Sequence, residues 1–278
     1  MQPLVFNGFV IATDSRIGSY SVQEQTPSQY QLDNANCIKS FFIAQGWTLE
    51  AICGMLGNMQ GESTINPAFI QATNRFRLPN SAADISDVPN SVMVNFFKEH
   101  YGVTRRAFAI GLVQWDGASN SSGQLQQKLV GYAIRNNFNW FDGWGQCYRL
   151  KAEWQQDAQY HFFNPVTIGG VQYTFANYVT STASPADLAH AWSAGYERNA
   201  GGVGFRGVNA EWWYTYFTET APEPVEIANP FPADSSQPPF DPVNPVPADP
   251  DAQDQMPAWL CWAFRTKKKE VKHIWRRI

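Results

Sequence analysis

Leu56-Gly57-Asn58-Met59-Gln60-Gly61-Glu62-Ser63 closes a run whose periodicity sets the fold class. Ile52, Met55, Leu56 and Met59 recur at i, i+3, i+4 and i+7, the spacing of one apolar helical face, and Thr48 stands where an N-cap belongs. On a helix turning about 100° per residue, Glu62 falls roughly 80° from Ile52, on the shoulder of that face. A carboxylate there is half-sheltered from water. Ser63, Thr64 and Pro67 stop the helix, so Glu62 also lies at its C-terminal end. The macrodipole and partial burial both oppose a second negative charge at that point. Both favour the protonated carboxyl, the form a general acid needs. Gly57 and Gly61 beside it are expected to let another backbone or a ligand approach closely.

Outward from this helix the pattern stays helical. Asp33 is read as the N-cap of a preceding helix carrying Ile38, Phe41 and Phe42, which Gly46 ends. Residues 70–92 read as loop, followed by helices over 92–101, 124–137 and 147–163, the last two separated by an aromatic turn from Phe138 to Trp144. Thr167 to Phe175 reads as a small hairpin around Gly169-Gly170. Ser184-Pro185-Ala186-Asp187 opens a helix running toward Arg198, and a last helix carries Ala210, Trp213, Tyr214 and Phe217. The expected class is mainly α with a small β-hairpin.

Composition divides the chain. An N-terminal arm is expected over 1–30, a folded domain over 31–218, a proline-rich linker over 219–257 and an aromatic and basic anchoring tail over 258–278. The stretch 222–257 holds eleven of the eighteen prolines, which makes it extended and semi-rigid. After Phe264, seven Lys and Arg against one Glu leave +6, so the rest of this chain of net −4 carries −10. That acidic body does not point to specific nucleic-acid binding. Trp259, Trp262 and Phe264 before the basic run suit docking onto another protein, with an anionic membrane surface as the second reading. The N-terminus does not read as a signal peptide, and no segment approaches the apolar length of a membrane span.

The four cysteines form no C-x-x-C pair, so no metal and no cofactor is expected, and Cys37 and Cys53 read as buried thiols. Gly145-Gln146-Cys147-Tyr148 superficially resembles the nucleophile region of CHAP-type amidases, but no histidine stands in the required Gly-His-Val-Ala context. Gly202-Val203-Gly204-Phe205-Arg206-Gly207 fits G-x-G-x-x-G literally. It follows a helix where the dinucleotide fingerprint demands a strand, and the nearest acids are Glu211 and Glu219, so it reads as an interhelical loop.

A second informative stretch is Ile110-Gly111-Leu112-Val113-Gln114-Trp115, a glycine-flanked amide and indole suited to lining a sugar groove. One sheltered glutamate beside such a groove is the minimum equipment for acid-catalysed glycosidic cleavage. Gly57-Asn58, Gly61-Glu62-Ser63, Asn66-Pro67, Gly111-Leu112-Val113-Gln114-Trp115 and Tyr196-Glu197-Arg198, in that order, resemble the phage tail lysozyme family across about 31–218. That family is similar in turn to goose-type lysozymes and soluble lytic transglycosylases.

The resemblance implies an α+β lysozyme-like fold and a virion-associated enzyme acting on peptidoglycan. Its substrate would be the β-1,4 bond between N-acetylmuramic acid and N-acetylglucosamine, cut to open the wall for genome delivery. Glu62 would be the general acid. Asn58, Ser63, Gln114 and Trp115 would contact substrate, and ordinary core packing is the competing reading of Trp115. Asp116 is the first candidate for a second carboxylate, ahead of Asp84 and Asp87; without one, a transglycosylase reaction takes over. Glu197 and Arg198 read as a buried pair fixing the last helices rather than as substrate ligands. The implied partners are peptidoglycan and, through 219–278, other virion proteins. A structural or glycan-binding virion protein without catalysis is the alternative class.

Overall fold

The computed structural model describes residues 4–11, 26–70, 90–91, 93, 109–115, 125–155, 163–199 and 204–230. The fold is mainly α, as the periodicity predicts. Two antiparallel hairpins, β1–β2 (Leu4–Phe6, Phe9–Ile11) and β3–β4 (Val166–Ile168, Val171–Tyr173), accompany seven helices among the described residues. These are α1 (Gln29–Ala44), α2 (Leu49–Ser63), α3 (Leu125–Arg135), α4 (Gly143–Gln155), α5 (Phe175–Tyr178), α6 (Pro185–Gly195) and α7 (Gly204–Thr220).

Among the described helices, α2 is the one around which others pack. The Thr48 hydroxyl caps it by accepting the Ala51 N–H at 3.3 Å. It packs mainly against α6 and α7 and is buried on nearly every side, as a helix in the middle of a core must be. The glycines explain how three helices come so close. A Cβ at Gly57 would meet the backbone of Arg206 and, at 2.8 Å, the Ala210 nitrogen; one at Gly61 would meet the Phe205 ring at 2.7 Å. The space beside these glycines is therefore filled by α7.

α1 begins a turn earlier than Asp33 suggests. Ser28 and Gln31 form the first turn's reciprocal cap, the Gln31 side chain accepting the Ser28 N–H at 2.9 Å, and Asp33 lies inside the helix. Gly46 ends this helix with φ +83°, as expected. α4 likewise starts at Gly143 rather than near residue 147, because the Asp142 carboxylate accepts the Gly145 N–H at 3.1 Å. The helix expected over 92–101 falls largely outside the described residues.

The β1–β2 hairpin belongs to the core even though its segment reads as an arm. Phe9 is fully buried over Gly143 and meets the Trp144 ring edge-on at 5.1 Å, and Asn7 donates to Asp142 at 3.0 Å. At β3–β4, Gly169 (φ +58°) and Gly170 (φ +82°) supply the left-handed turn expected there. After α7, residues 221–228 lie along α1 as a strap. Pro222 and Glu223 carbonyls accept from Lys39 (3.0 Å) and Asn36 (2.9 Å), and the Val225 N–H donates to Ser40 at 2.9 Å. No helix among the described residues is long and apolar enough to cross a membrane.

Candidate active site

α2 ends abruptly and under strain. Thr64 (φ +53°) and Ile65 (φ +56°) both take the left-handed conformation, and the Ile65 N–H closes back on the Met59 carbonyl at 3.3 Å. A β-branched residue there is costly, so its surroundings must hold it. They do: Ile65 is fully buried and its carbonyl accepts from Asn34 at 2.8 Å. This turn leaves Glu62 in the last helical turn with its side chain 16% exposed.

The Ile110–Trp115 segment folds into a tight loop closed by reciprocal backbone bonds between Ile110 and Trp115, at 3.2 and 2.9 Å. Two residues carry positive φ, Gly111 (+80°) and Gln114 (+51°). Two ties fix the loop against α2. Ser63 donates from its hydroxyl to the Leu112 carbonyl at 2.7 Å, and the Gln146 side chain accepts the Leu112 N–H at 2.8 Å while donating to the Pro67 carbonyl at 2.8 Å. Ser63, the residue after Glu62, is thus bound to Leu112, two residues before Gln114. The Gln114 amide nitrogen donates to the Gly111 carbonyl at 2.8 Å, whereas its oxygen is buried with no hydrogen-bond partner among the described residues. A buried amide oxygen left open is an acceptor waiting for a donor.

Behind Glu62 stands Arg206, from the first turn of α7. Its guanidinium forms ion pairs with Glu62 through Nη2 and with Glu197 through Nη1. Nη1 also donates to the Asn58 amide oxygen at 2.9 Å and to the Ser193 hydroxyl at 3.0 Å. A guanidinium favours the ionised carboxylate, opposing the helix dipole and burial described above. Asn58 is fully buried, donating to the Gly54 and Ala189 carbonyls at 2.9 and 3.0 Å, so its amide holds Arg206 in place.

A second carboxylate cluster lies deeper. Glu153 is fully buried; it pairs with Arg149 at 3.0 Å and accepts from Trp115 Nε1 at 3.1 Å and from the Tyr196 hydroxyl at 2.7 Å. Burial pushes its carboxyl above the usual range, while Arg149 and the two donors pull it back down. Burial, with the neighbouring Glu153 charge, also pushes the Tyr196 phenol well up.

The structure therefore brings Glu62, Ser63, Gln114 and Asn58 into one neighbourhood, with Asn58 and Ser63 fully buried behind it. Trp115 is 2% exposed and its indole belongs to the core, the competing reading of that residue. Asp116, Asp84 and Asp87 lie outside the described residues. Arg198 does not pair with Glu197: it is exposed with φ +59°, and Arg206 takes its place. α6 also stops at Gly195, short of Arg198. The segment read as a loop over 202–207 starts α7 at Gly204 instead.

Cys37, Cys53 and Cys147 are free and buried. Desolvation raises the Cys147 thiol well above its ordinary value, the reverse of what an attacking thiolate needs. Sequence reasoning missed Arg206 and Glu153. The Arg149–Glu153 spacing of i, i+4 inside an apolar helix was an available signal for the second.

The phage tail lysozyme family model matches residues 33–217. The chain is also similar to "Morphogenesis protein 1" of Bacillus phage B103, 31% identical over 202 residues, which are 72% of this chain and 43% of that protein. The match thus spans less than half the length of that relative.

Proposed function

Given that the chain belongs to the phage tail lysozyme family, we propose that it is a virion-associated enzyme that cuts the glycan strands of bacterial peptidoglycan. The bond is the β-1,4 linkage between N-acetylmuramic acid and N-acetylglucosamine, and its cleavage opens the wall for genome delivery. One observation carries this reading. Glu62, at the edge of solvent, is tied through Ser63 to the loop holding the open Gln114 amide oxygen.

In the reaction Glu62, protonated, gives its proton to the bridging sugar oxygen. The C1–O bond breaks, the leaving sugar departs with a hydroxyl, and positive charge develops on the muramic ring. The Gln114 oxygen accepts a hydrogen bond from a sugar N–H or O–H and so orients the ring. Ser63, Asn58 and Gln146 act behind the substrate by fixing the helix end and the loop. The resulting Glu62 carboxylate accepts a proton from the attacking nucleophile, which restores the acid.

When water attacks, the reaction is hydrolysis, with Asp116 the candidate for stabilising the cation. The second reading is attack by the muramic C6 hydroxyl, which gives a 1,6-anhydro product. It draws support from the engagement of the described carboxylates nearest the site: Glu197 holds Arg206, and Glu153 is fully buried. The tail over 219–278 is the segment by which the enzyme joins other virion proteins.

Mass spectrometry of muropeptides released from purified sacculi tests the proposal. Reducing muramic ends mean hydrolysis and anhydro ends transglycosylation. Free stem peptides would return the reaction to Cys147, and intact sacculi would leave a structural or glycan-binding protein.

A further inference from the structure

We propose that Arg206 is the positioning residue for Glu62, and that Glu197 sets how strongly Arg206 is committed to it; this rests on the reading of Glu62 as the general acid. The geometry supports a shared cation. Arg206 is 5% exposed and is gripped from three segments: Asn58 on α2, Ser193 on α6, and Glu197 just beyond α6. Nη1 carries all three of those contacts, which leaves Nη2 aimed at Glu62. A planar fork locked along one edge presents the other in a fixed direction, which a flexible ammonium cannot do.

One guanidinium thus faces two carboxylates, Glu62 at the solvent edge and Glu197 behind it. As Glu62 releases its proton, negative charge appears where Nη2 already stands, so the carboxylate formed in that step meets a prepared cation. Left alone with Glu62, Arg206 would hold that residue ionised and unable to donate. Glu197 counters this by taking part of the guanidinium's charge and by repelling a second carboxylate close by.

Among the described residues, further titratable groups near this cluster are Tyr196 and Arg198, which flank Glu197, and His190 on α6, whose Nε2 lies 3.4 Å from the Cβ position of Gly207. The Ala109–Trp115 segment packed against the end of α2 carries no titratable group. Beyond a general acid's pKa, rate falls as pH rises, so the alkaline limb of the rate profile reports its protonation.

The experiment is the pH profile of sacculus clearing by the full chain and its variants. Glu197→Gln keeps the shape of the side chain, frees Arg206 for Glu62, and moves the alkaline limb about one pH unit or more to lower pH. Arg206→Gln removes the cation and moves that limb to higher pH with a lower maximum. Arg206→Lys keeps the charge without the fork, so its limb stays near the native position while the maximum still drops. Opposite displacements from Glu197→Gln and Arg206→Gln are the expected result. A limb that stays put in Glu197→Gln, or moves upward, overturns the proposal even if Arg206→Gln fails to fold. Glu62→Gln separates the two claims: if it clears sacculi as the native chain does, the general-acid reading itself is lost.

Discussion

Two carboxylate–arginine groups meet at consecutive residues of this protein, and they differ chiefly in access to water. Tyr196 donates to Glu153, the partner of Arg149, while Glu197 pairs with Arg206, which also holds Glu62. The Glu153 side chain is 0% exposed and accepts from an indole, a phenol and a guanidinium, so no sugar can meet it. Glu62 keeps 16% exposure beside the Arg206 guanidinium. The same residue types therefore build a brace in one place and a reactive edge in the other. Chemistry alone does not assign the role. Solvent contact does.

The comparison breaks most visibly at Glu62. Glu62→Gln should lower cleavage of sacculi by about 100-fold or more, with a circular-dichroism melt close to that of the native chain. Glu153→Ala should do the reverse in kind. It removes the buried carboxylate paired with Arg149 and costs about 3–5 kcal/mol of stability, read by urea unfolding; a loss below about 1 kcal/mol would mean the brace is not one.

Gly57→Ala links the two regions, since its methyl would push α7 and Arg206 away from α2. We expect about 1–3 kcal/mol of destabilisation together with reduced turnover, and native activity would show that the α2–α7 contact can give.

A gentler probe uses Asp142, whose carboxyl burial pushes above the ordinary range, against pull-down by the Gly145 and Trp144 backbone and Asn7. The native state then holds this proton more tightly than the unfolded chain. Its contribution to stability is full below the unfolded pKa and is lost as pH rises through the folded value. Relative to the native protein, Asp142→Asn should therefore gain stability as pH rises through that window, followed by urea midpoints across pH. A gap that does not change with pH would contradict the raised value. The smallest effect is expected at Cys147→Ala, which should leave cleavage unchanged.

What the sequence disclosed was what neighbouring residues determine. The Thr48 cap, the Gly46 stop, the Ser184-Pro185 start and the Gly169-Gly170 turn each rest on contacts within a few positions. The face of α2 and the place of Glu62 on its shoulder follow from one helical period. Arg206 was not readable this way, because its partner Glu62 is 144 positions distant and its own surroundings are glycine-rich. Those same glycines suggested a loop where a helix starts. In α2 they suggested room near the site, and the room is taken by α7. Glu197 was placed correctly in a buried pair but with the wrong arginine, since Arg198 is adjacent in sequence and turned outward by its backbone.

The strap over residues 221–228 has a mechanical consequence. Its three bonds, at Pro222, Glu223 and Val225, engage Lys39, Asn36 and Ser40, all within about one turn of α1. Of the three, the Val225 bond lies nearest residue 230, so strain entering from that side would load it before those at Glu223 and Pro222. Because these bonds follow directly on the end of α7 at Thr220, they would take such strain before it reached that helix and the arginine it carries.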